Sequence, residues 1–285
     1  MFPRVSGLRS LFIGAVLAVL PASAQDTTTA PPAPPPPRPA EPARVPFGVG
    51  ERLEYQVKYK NIPVGSGDME VLPMDTVRGI DTWHTVFRIK GGILFYRVND
   101  KYEAWLDTHT LSSLRYWQDI DEGSYEPKRH YEIFPDKREY VENNKAPAPS
   151  VEHPLDDGSF LYYIRTVPLH VGMDTTLNDY FKAAKNPIRF KVLRKDTIDV
   201  PAGRYPAIVV QPIFQTSLFN EGGHAEVWLS DDDNRIMLQM KSSVRFGSLS
   251  LYLKSYRPPP TPTATPPAPA ASKPPTDTAT PRPRG

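Results

Sequence analysis

The sequence predicts a mainly β protein: a single large curved antiparallel sheet or open β-barrel of about a dozen strands, with one short helix. Apolar and polar residues alternate with a period of two through most of the span Phe47 to Arg257. Clusters of Gly, Pro, Asn, Asp and Ser punctuate that alternation at short intervals. No repeating helical pattern separates the strands, which argues for an antiparallel meander rather than a parallel sheet.

In RLEYQVKYK, Leu53, Tyr55, Val57 and Tyr59 fall on one face, and Arg52, Glu54, Gln56, Lys58 and Lys60 on the other. That is a strand with one dry and one wet face. The turn residues of NIPVGSG lead to Met69 and Val71, so the first two strands form a hairpin. Next, Trp83, Thr85, Phe87 and Ile89 alternate with His84, Val86, Arg88 and Lys90. Shorter strands are expected at Tyr102 to Leu106, Leu114 to Gln118, Arg129 to Phe134 and Arg138 to Glu142, with turns at DTHTLSS, DIDEGSYEP and FPDK. Later strands are expected at Thr175 to Lys182, Ile188 to Lys195, Thr197 to Val200, Tyr205 to Phe214, His224 to Ser230, Arg235 to Ser242 and Val244 to Ser255. The stretch LDDGSFLYYIRTVPL departs from this pattern. Asp156 and Asp157 can cap a helix, Phe160, Tyr163, Ile164 and Val167 share one helical face, and Pro168 stops it, which predicts a helix over Gly158 to Thr166.

The ends differ in composition from this span. Residues 1–24 read as a secretory signal peptide: Arg4 and Arg9, an apolar run of about ten residues, then Ala22-Ser23-Ala24. The run is short of the ~20 residues needed to cross a bilayer, so no transmembrane anchor is expected after cleavage and the mature chain is expected to be periplasmic or secreted. Residues 25–46 form a Pro-rich linker and 258–285 a Pro/Thr/Ala-rich tail, both with too few large apolar side chains to order themselves, flanking a β-rich domain at 47–257. The chain has no cysteine, hence no disulfide framework. A net charge of +2 without blocks of like charge gives no reason to expect a nucleic acid partner.

Chemistry-bearing motifs are sparse. Asp231, Asp232 and Asp233 fail the calcium-loop pattern, because Arg235, Ile236 and Ser242 stand where a ligand, the glycine and the bidentate glutamate belong. They read as a hairpin tip, with Val227 and Leu229 on one strand packing with Ile236, Leu238 and Met240 on the next. His84, His109, His130, His153, His170 and His224 lack the spacing of a zinc site. There is no G-x-S-x-G. The carboxylate pairs Asp119/Asp121 and Asp121/Glu122 fall in an expected loop and read as solvated charges. In DVPAGRYPA, Pro201 starts a turn and Gly203 takes a positive φ, and EGGH at 221–224 reads as a second turn. No catalytic residue, metal ligand or cofactor is expected. The aromatic side chains pack a core or, where the sheet curves round a cavity, line a site for an apolar or glycan ligand. Tyr55, Tyr59, Trp83 and Phe87 are the expected lining.

Four stretches, GERLEYQVKYKNIPVGSGDMEV, DDGSFLYYIRTVPLHVG, IDVPAGRYPAIVVQP and EVWLSDDDNRIMLQMKSSVRFGSLSLYL, occur in an order that resembles the exported bacterial proteins of the domain of unknown function 3108 family. The resemblance implies a β-rich exported domain and carries no activity. Gly50, Glu51, Tyr55, Gly65, Gly67, Asp157, Tyr163, Arg165, Gly203, Trp228, Asp231 to Asp233 and Gly247 match as turn, cap and core residues. The expected function is that of a non-enzymatic envelope protein holding a hydrophobic, lipid-like or glycan ligand in its curved sheet. The alternative is an interaction or scaffold module that docks an envelope protein partner with its Pro-rich arms; a hydrolase is a third reading.

Overall fold

The computed structural model describes residues 43–93, 96–214, 225–244 and 247–260. The expected signal peptide, most of both Pro-rich arms and the EGGH turn lie outside them. The strands are β1 (Arg52–Tyr59), β2 (Ile62–Val71), β3 (Asp75–Val77), β4 (Ile80–Ile93), β5 (Tyr96–Asp107), β6 (Ser113–Asp119), β7 (Lys128–Phe134), β8 (Glu139–Glu142), β9 (Ala148–Pro149), β10 (Asp174–Leu177), β11 (Ile188–Val200), β12 (Gly203–Ile213), β13 (Glu226–Ser230), β14 (Met237–Val244) and β15 (Gly247–Arg257). They form one antiparallel sheet in the order β10-β11-β12-β13-β14-β15-β1-β2-β4-β5-β6-β7-β8-β9, with β3 beside β4. Register shifts at Glu54/Tyr55, Val57/Lys58, Trp105/Leu106, Val192/Arg194 and Trp228/Leu229 bend and twist the strands. Beyond β9 the chain reaches the segment after β10: Leu155 N–H donates to Asp179 O at 2.6 Å and Phe181 N–H to Leu155 O at 2.9 Å. The two ends of the open sheet meet along that seam.

The period-two reading sets the inner face. Leu53, Met69 and Phe87 share one row across β1, β2 and β4, and Tyr55, Gly67 and Ile89 the next. All of the apolar members are buried. Gly65 and Gly91 stand directly opposite each other between β2 and β4, and a Cβ on Gly65 would lie 2.0 Å from Lys90 O. Glycine is thus required there for the close approach of two backbones.

Helix α1 (Asp157–Tyr163) continues as a 3-10 turn at Ile164–Thr166. Asp156 caps it: its side chain accepts from Gly158 N–H and Ser159 N–H, while Ser159 Oγ accepts from Asp156 N–H. The helix buries Phe160, Leu161 and Tyr162 as well as Ile164, rather than the single face predicted, because the curved sheet surrounds it.

Other expectations change in detail. The strand expected over Thr175 to Lys182 ends at Leu177, since Asn186 bonds both Tyr180 N–H and Tyr180 O and folds 178–187 into a loop. Ile188 to Lys195 and Thr197 to Val200 are one strand bulged at Val192/Arg194. Gly203 takes φ +135° in the expected turn. Ala43 and Val45 pack against the core, so contact with the domain begins within the segment read as linker.

Candidate functional site

Tyr55 and Phe87, two of the expected lining residues, lie in the packed interior at 1% and 2% exposure. The Tyr55 hydroxyl donates to Met237 O at 3.0 Å, and the Phe87 ring stacks on Tyr102 with centroids 6.1 Å apart. Trp83 sits edge-on to Phe47 at 5.6 Å. Tyr59 is half-buried at the opposite end of the strand, under the Lys60 ammonium. The four rings therefore do not converge on one opening.

The three aspartates form the tip of a hairpin. Asp232 Oδ1 accepts from Asn234 N–H at 3.0 Å, Arg235 N–H at 3.1 Å and Ser230 Oγ at 2.6 Å, and Asp231 pairs with Lys195 at 2.7 Å. Val227, Leu229, Ile236, Leu238 and Met240 are buried in the same core cluster. Among the described residues, no three histidine, aspartate or glutamate side chains are placed to hold a metal ion.

Open space lies over the other face of the sheet. Outward residues of adjacent strands stand in rows: Arg88, Lys101, Asp119 and Lys128 in one, Glu103, Trp117 and His130 in the next. The chain after Asp119 runs on beside the start of β5, with Val98 opposite Glu122 in the register of Lys101 and Asp119, and turns between Glu122 and Tyr125 toward β7. Asn99 N–H donates to Asp121 O at 2.8 Å, Gly123 N–H to Arg97 O at 2.9 Å and Asp121 N–H to Asp100 Oδ1 at 3.0 Å. A cleft of about 460 Å³ results. Four cations, Arg88, Lys90, Lys101 and Lys128, and four acids, Asp100, Asp119, Asp121 and Glu126, line it.

Several of these charges are already engaged. Arg88 bonds Asp68 and Glu70, Lys101 pairs with Glu103 at 2.6 Å, Asp119 with His130 at 3.1 Å, and Asp121 with Arg97 at 2.8 Å. Burial pushes the Asp100 carboxyl up to about 7; the Asp121 N–H opposes the rise and the Glu122 carboxylate adds to it. At the edge of the cleft, Trp117 and His130 stack with centroids 4.6 Å apart, the imidazole side chain 43% exposed. Trp105 stands in the adjoining row of the same face, edge-on to Trp117 at 5.0 Å, its indole N–H on Asp75 Oδ2 at 2.9 Å and its ring stacked on His84 at 4.2 Å. His84 Nε2 is 3.3 Å from Glu103 Oε1, close enough to pair when protonated but misaligned for a hydrogen bond. No serine, threonine or cysteine is among the lining residues. The arrangement offers hydrogen bonds and charges of both signs beside the stacked Trp117 and His130 rings, which is chemistry for binding.

Asp119 and Asp121, read from sequence as solvated loop charges, line this cleft, with Asp119 on β6 itself. The signal available in the sequence was the outward register of Trp117, Asp119, Lys128 and His130 on two adjacent strands.

Two charged clusters lie deeper. Arg165 places both terminal nitrogens on Glu51, at 2.7 and 3.0 Å, with the side chains 1% and 0% exposed. Asp156 accepts Ser113 Oγ–H at 2.5 Å, and Asp157 accepts from Tyr180 OH at 2.9 Å and Gln118 Nε2 at 3.2 Å.

The family described as "Protein of unknown function (DUF3108)" matches residues 54–254, from the first strand of the sheet to the last. The chain belongs to this family. The DUF3108 match takes in the whole cleft and all of the sheet except the outer ends of β1 and β15. Among solved structures, the DUF3108 chain is similar to a β-barrel-like protein of domain of unknown function DUF1849 from Brucella abortus, at 10% identity and TM-score 0.51, covering 76% of this chain and 100% of that one. At that identity the likeness extends to the fold alone. A "putative lipoprotein" from Parabacteroides distasonis matches at 8% identity and TM-score 0.33 over 75% and 98% of the two chains. A "putative exported protein" from Bacteroides fragilis matches at 10% identity and TM-score 0.28 over 75% and 98%. No curated protein matches the sequence. Among the described residues of the DUF3108 protein, no helix is long and apolar enough to cross a membrane.

Proposed function

We propose that this DUF3108 protein is an exported, non-enzymatic envelope protein that binds a charged glycan in the cleft over β4 to β7. The observation that carries this reading is the cleft itself: its ~460 Å³ falls in the ordinary range of small-molecule sites, and its lining mixes cations and carboxylates beside the Trp117–His130 stack. A sugar ring presents an apolar face to an indole and hydroxyls to charged side chains, and an amino-sugar carrying carboxylates would meet both signs of charge. A hydrophobic or lipid-like ligand on the inner face would have to displace packed rings such as Tyr55 and Phe87. The sequence-level signal peptide supports export.

Titration with a soluble muropeptide, a disaccharide carrying a tetrapeptide, tests the reading. Saturable NMR shifts are expected at the Trp117 indole and the Lys101 and Lys128 amides, and Trp117→Ala should weaken binding about tenfold, equivalent to ~1.4 kcal/mol. The absence of saturable shifts at millimolar muropeptide would sink it.

A second reading, docking of a protein partner by the Pro-rich arms, draws on one observation. Pro259 and Pro260 lie against Gly48 and Gly50, a Cβ on which would sit 3.1 and 3.2 Å from them, so the described chain enters and leaves side by side. Chains lacking 258–285 should then lose a partner that co-purifies with the full chain; retention of that partner counts against the tail as its docking arm.

A further inference from the structure

We propose that the hairpin edge at the β1–β2 turn is a docking surface for an anionic bilayer, on which the domain sits peripherally. This surface is distinct from the cleft, and its role does not depend on the cleft's ligand. In the sheet order β14-β15-β1-β2-β4-β5, three neighbouring hairpins turn at one edge: β14 and β15 pair out to Val244 and Gly247, β1 and β2 to Tyr59 and Ile62, and β4 and β5 to Ile93 and Tyr96. The middle hairpin closes through Lys60 and Asn61, at φ +45° and +70°, which is a tight two-residue turn. Ile62 leaves that turn at 64% exposure, the most exposed large apolar side chain among the described residues, with Pro63 exposed beside it. A lone exposed isoleucine is ordinary on a protein surface; its surroundings set this one apart.

Lys58 and Lys241 both stand opposite Ser250, so they share a face at two strand spacings, about 10 Å. Lys90, which also lines the cleft, stands in the next row of that face, opposite Ser66, itself opposite Gln56. Lys60 is in the turn. Lys58 lies over the Tyr252 ring at 4.6 Å and Lys60 over the Tyr59 ring at 5.4 Å. The acids nearest in register are held by arginines: Glu226, opposite Lys241, by Arg194 at 3.0 Å, Asp121 by Arg97 at 2.8 Å, and Asp68 by Arg88. Among the described residues, no ion pair engages Lys58, Lys60, Lys90 or Lys241, so their charge is available to a partner.

The edge is thus positive with an apolar tip, and a bilayer is the occupant that uses both features. Anionic headgroups take the ammonium groups while the tip enters the boundary of the acyl chains. A soluble anionic polymer would use the lysines and leave Ile62 in water.

The test is co-sedimentation of the chain expected after signal cleavage, residues 25–285, with vesicles of phosphatidylcholine alone or mixed with phosphatidylglycerol. Binding should require the phosphatidylglycerol and weaken at least about tenfold as salt rises from about 0.05 to about 0.5 M. Lys58→Gln combined with Lys60→Gln should weaken it about 25-fold, roughly fivefold for each charge. Ile62→Asp should weaken it at least about tenfold, and Ile62→Ser serves if the aspartate variant fails to fold. Ile80→Asp, at 39% exposure on the far end of β4, should leave binding as it is. No binding to the mixed vesicles at low salt overturns the proposal, as does binding that the lysine and Ile62 variants leave unchanged. Binding lost with the lysines but indifferent to Ile62 makes the edge a polyanion patch and overturns the bilayer as its occupant. Lys58, Lys60 and Ile62 are outside the lining of the cleft, so muropeptide binding, measured on the same variants, stands or falls separately.

Discussion

Arg165→Met should lower the stability of this protein by about 3–5 kcal/mol, read as a shift of the urea midpoint at constant slope. The guanidinium lies between Glu51 at the start of β1, Pro46 O at 3.2 Å and Asn234 O at 3.1 Å, with Phe47 and Tyr162 rings 5.4 and 5.7 Å from its centre. One side chain thus joins the end of the helical segment, the entering chain, the first strand and the aspartate hairpin. Removing it leaves the Glu51 carboxylate buried with its charge unmatched, and the two carbonyls lose a donor. Glu51→Gln should cost a similar amount by stranding the cation. Replacing both by apolar residues of similar size should cost less than the two single losses together, because the desolvation of both charges disappears with the pair. The exposed pair Arg138–Glu152, 65% and 62% exposed at 2.6 Å, sets the contrast: its loss should cost no more than about 1 kcal/mol. Equal effects at the two pairs would show that burial does not govern the cost.

That contrast shows what a sequence can carry. The alternation of Leu53, Tyr55 and Val57 is a local consequence of the pleat, so the sheet, its inner face and the hairpin at Asp231 to Asp233 were legible one strand at a time. The capping role of Asp156 was legible for the same reason, being decided within three residues. Arg165 and Glu51 are 114 positions apart, and nothing in either neighbourhood announces the other. The cleft is non-local in the same sense. Lys101, Asp119 and Lys128 join only through the registers of β5 with β6 and β6 with β7, and Asn99 meets Asp121 because the first of those ladders runs on past Asp119. The aromatic residues show the limit of periodicity: alternation puts Tyr55 and Phe87 on the inner face, but only packing determines that the face is filled around them.

Asp156→Asn should make the protein more stable at pH 7.5 than the native chain while leaving the two nearly equal at pH 4.5. The Asp156 carboxyl is fully buried at the N-terminus of α1, and burial pushes it up to about 7; the hydrogen bonds from Ser113, Ser159 and Gly158 oppose that rise, and neighbouring Asp157 reinforces it. Among the described residues, no hydrogen bond or ion pair brings a cation to it. An acid whose value is raised on folding binds more protons folded than unfolded between its ordinary value near 4 and 7, so its effect is to lower stability as pH rises across that window, with the full loss present above 7. Three units correspond to a contribution on the order of 4 kcal/mol, an upper figure because the unfolded chain and local relaxation take part of it. Asparagine carries no charge, is as good an N-cap as aspartate, and keeps an acceptor for Gly158 N–H, Ser159 N–H and Ser113 Oγ–H. Carboxylates held below their ordinary values, among them Asp75 through the Trp105 indole N–H and Asp174 through Arg189, push the whole-protein profile the other way in acid. Asp100 adds a loss of the same sign as Asp156. The difference between native and variant unfolding free energies at pH 4.5 and 7.5 cancels those common terms and isolates the residue. A difference that does not change between the two pH values would mean that Asp156 folds in as an ordinary ionised cap, and that the interior admits enough water to solvate it.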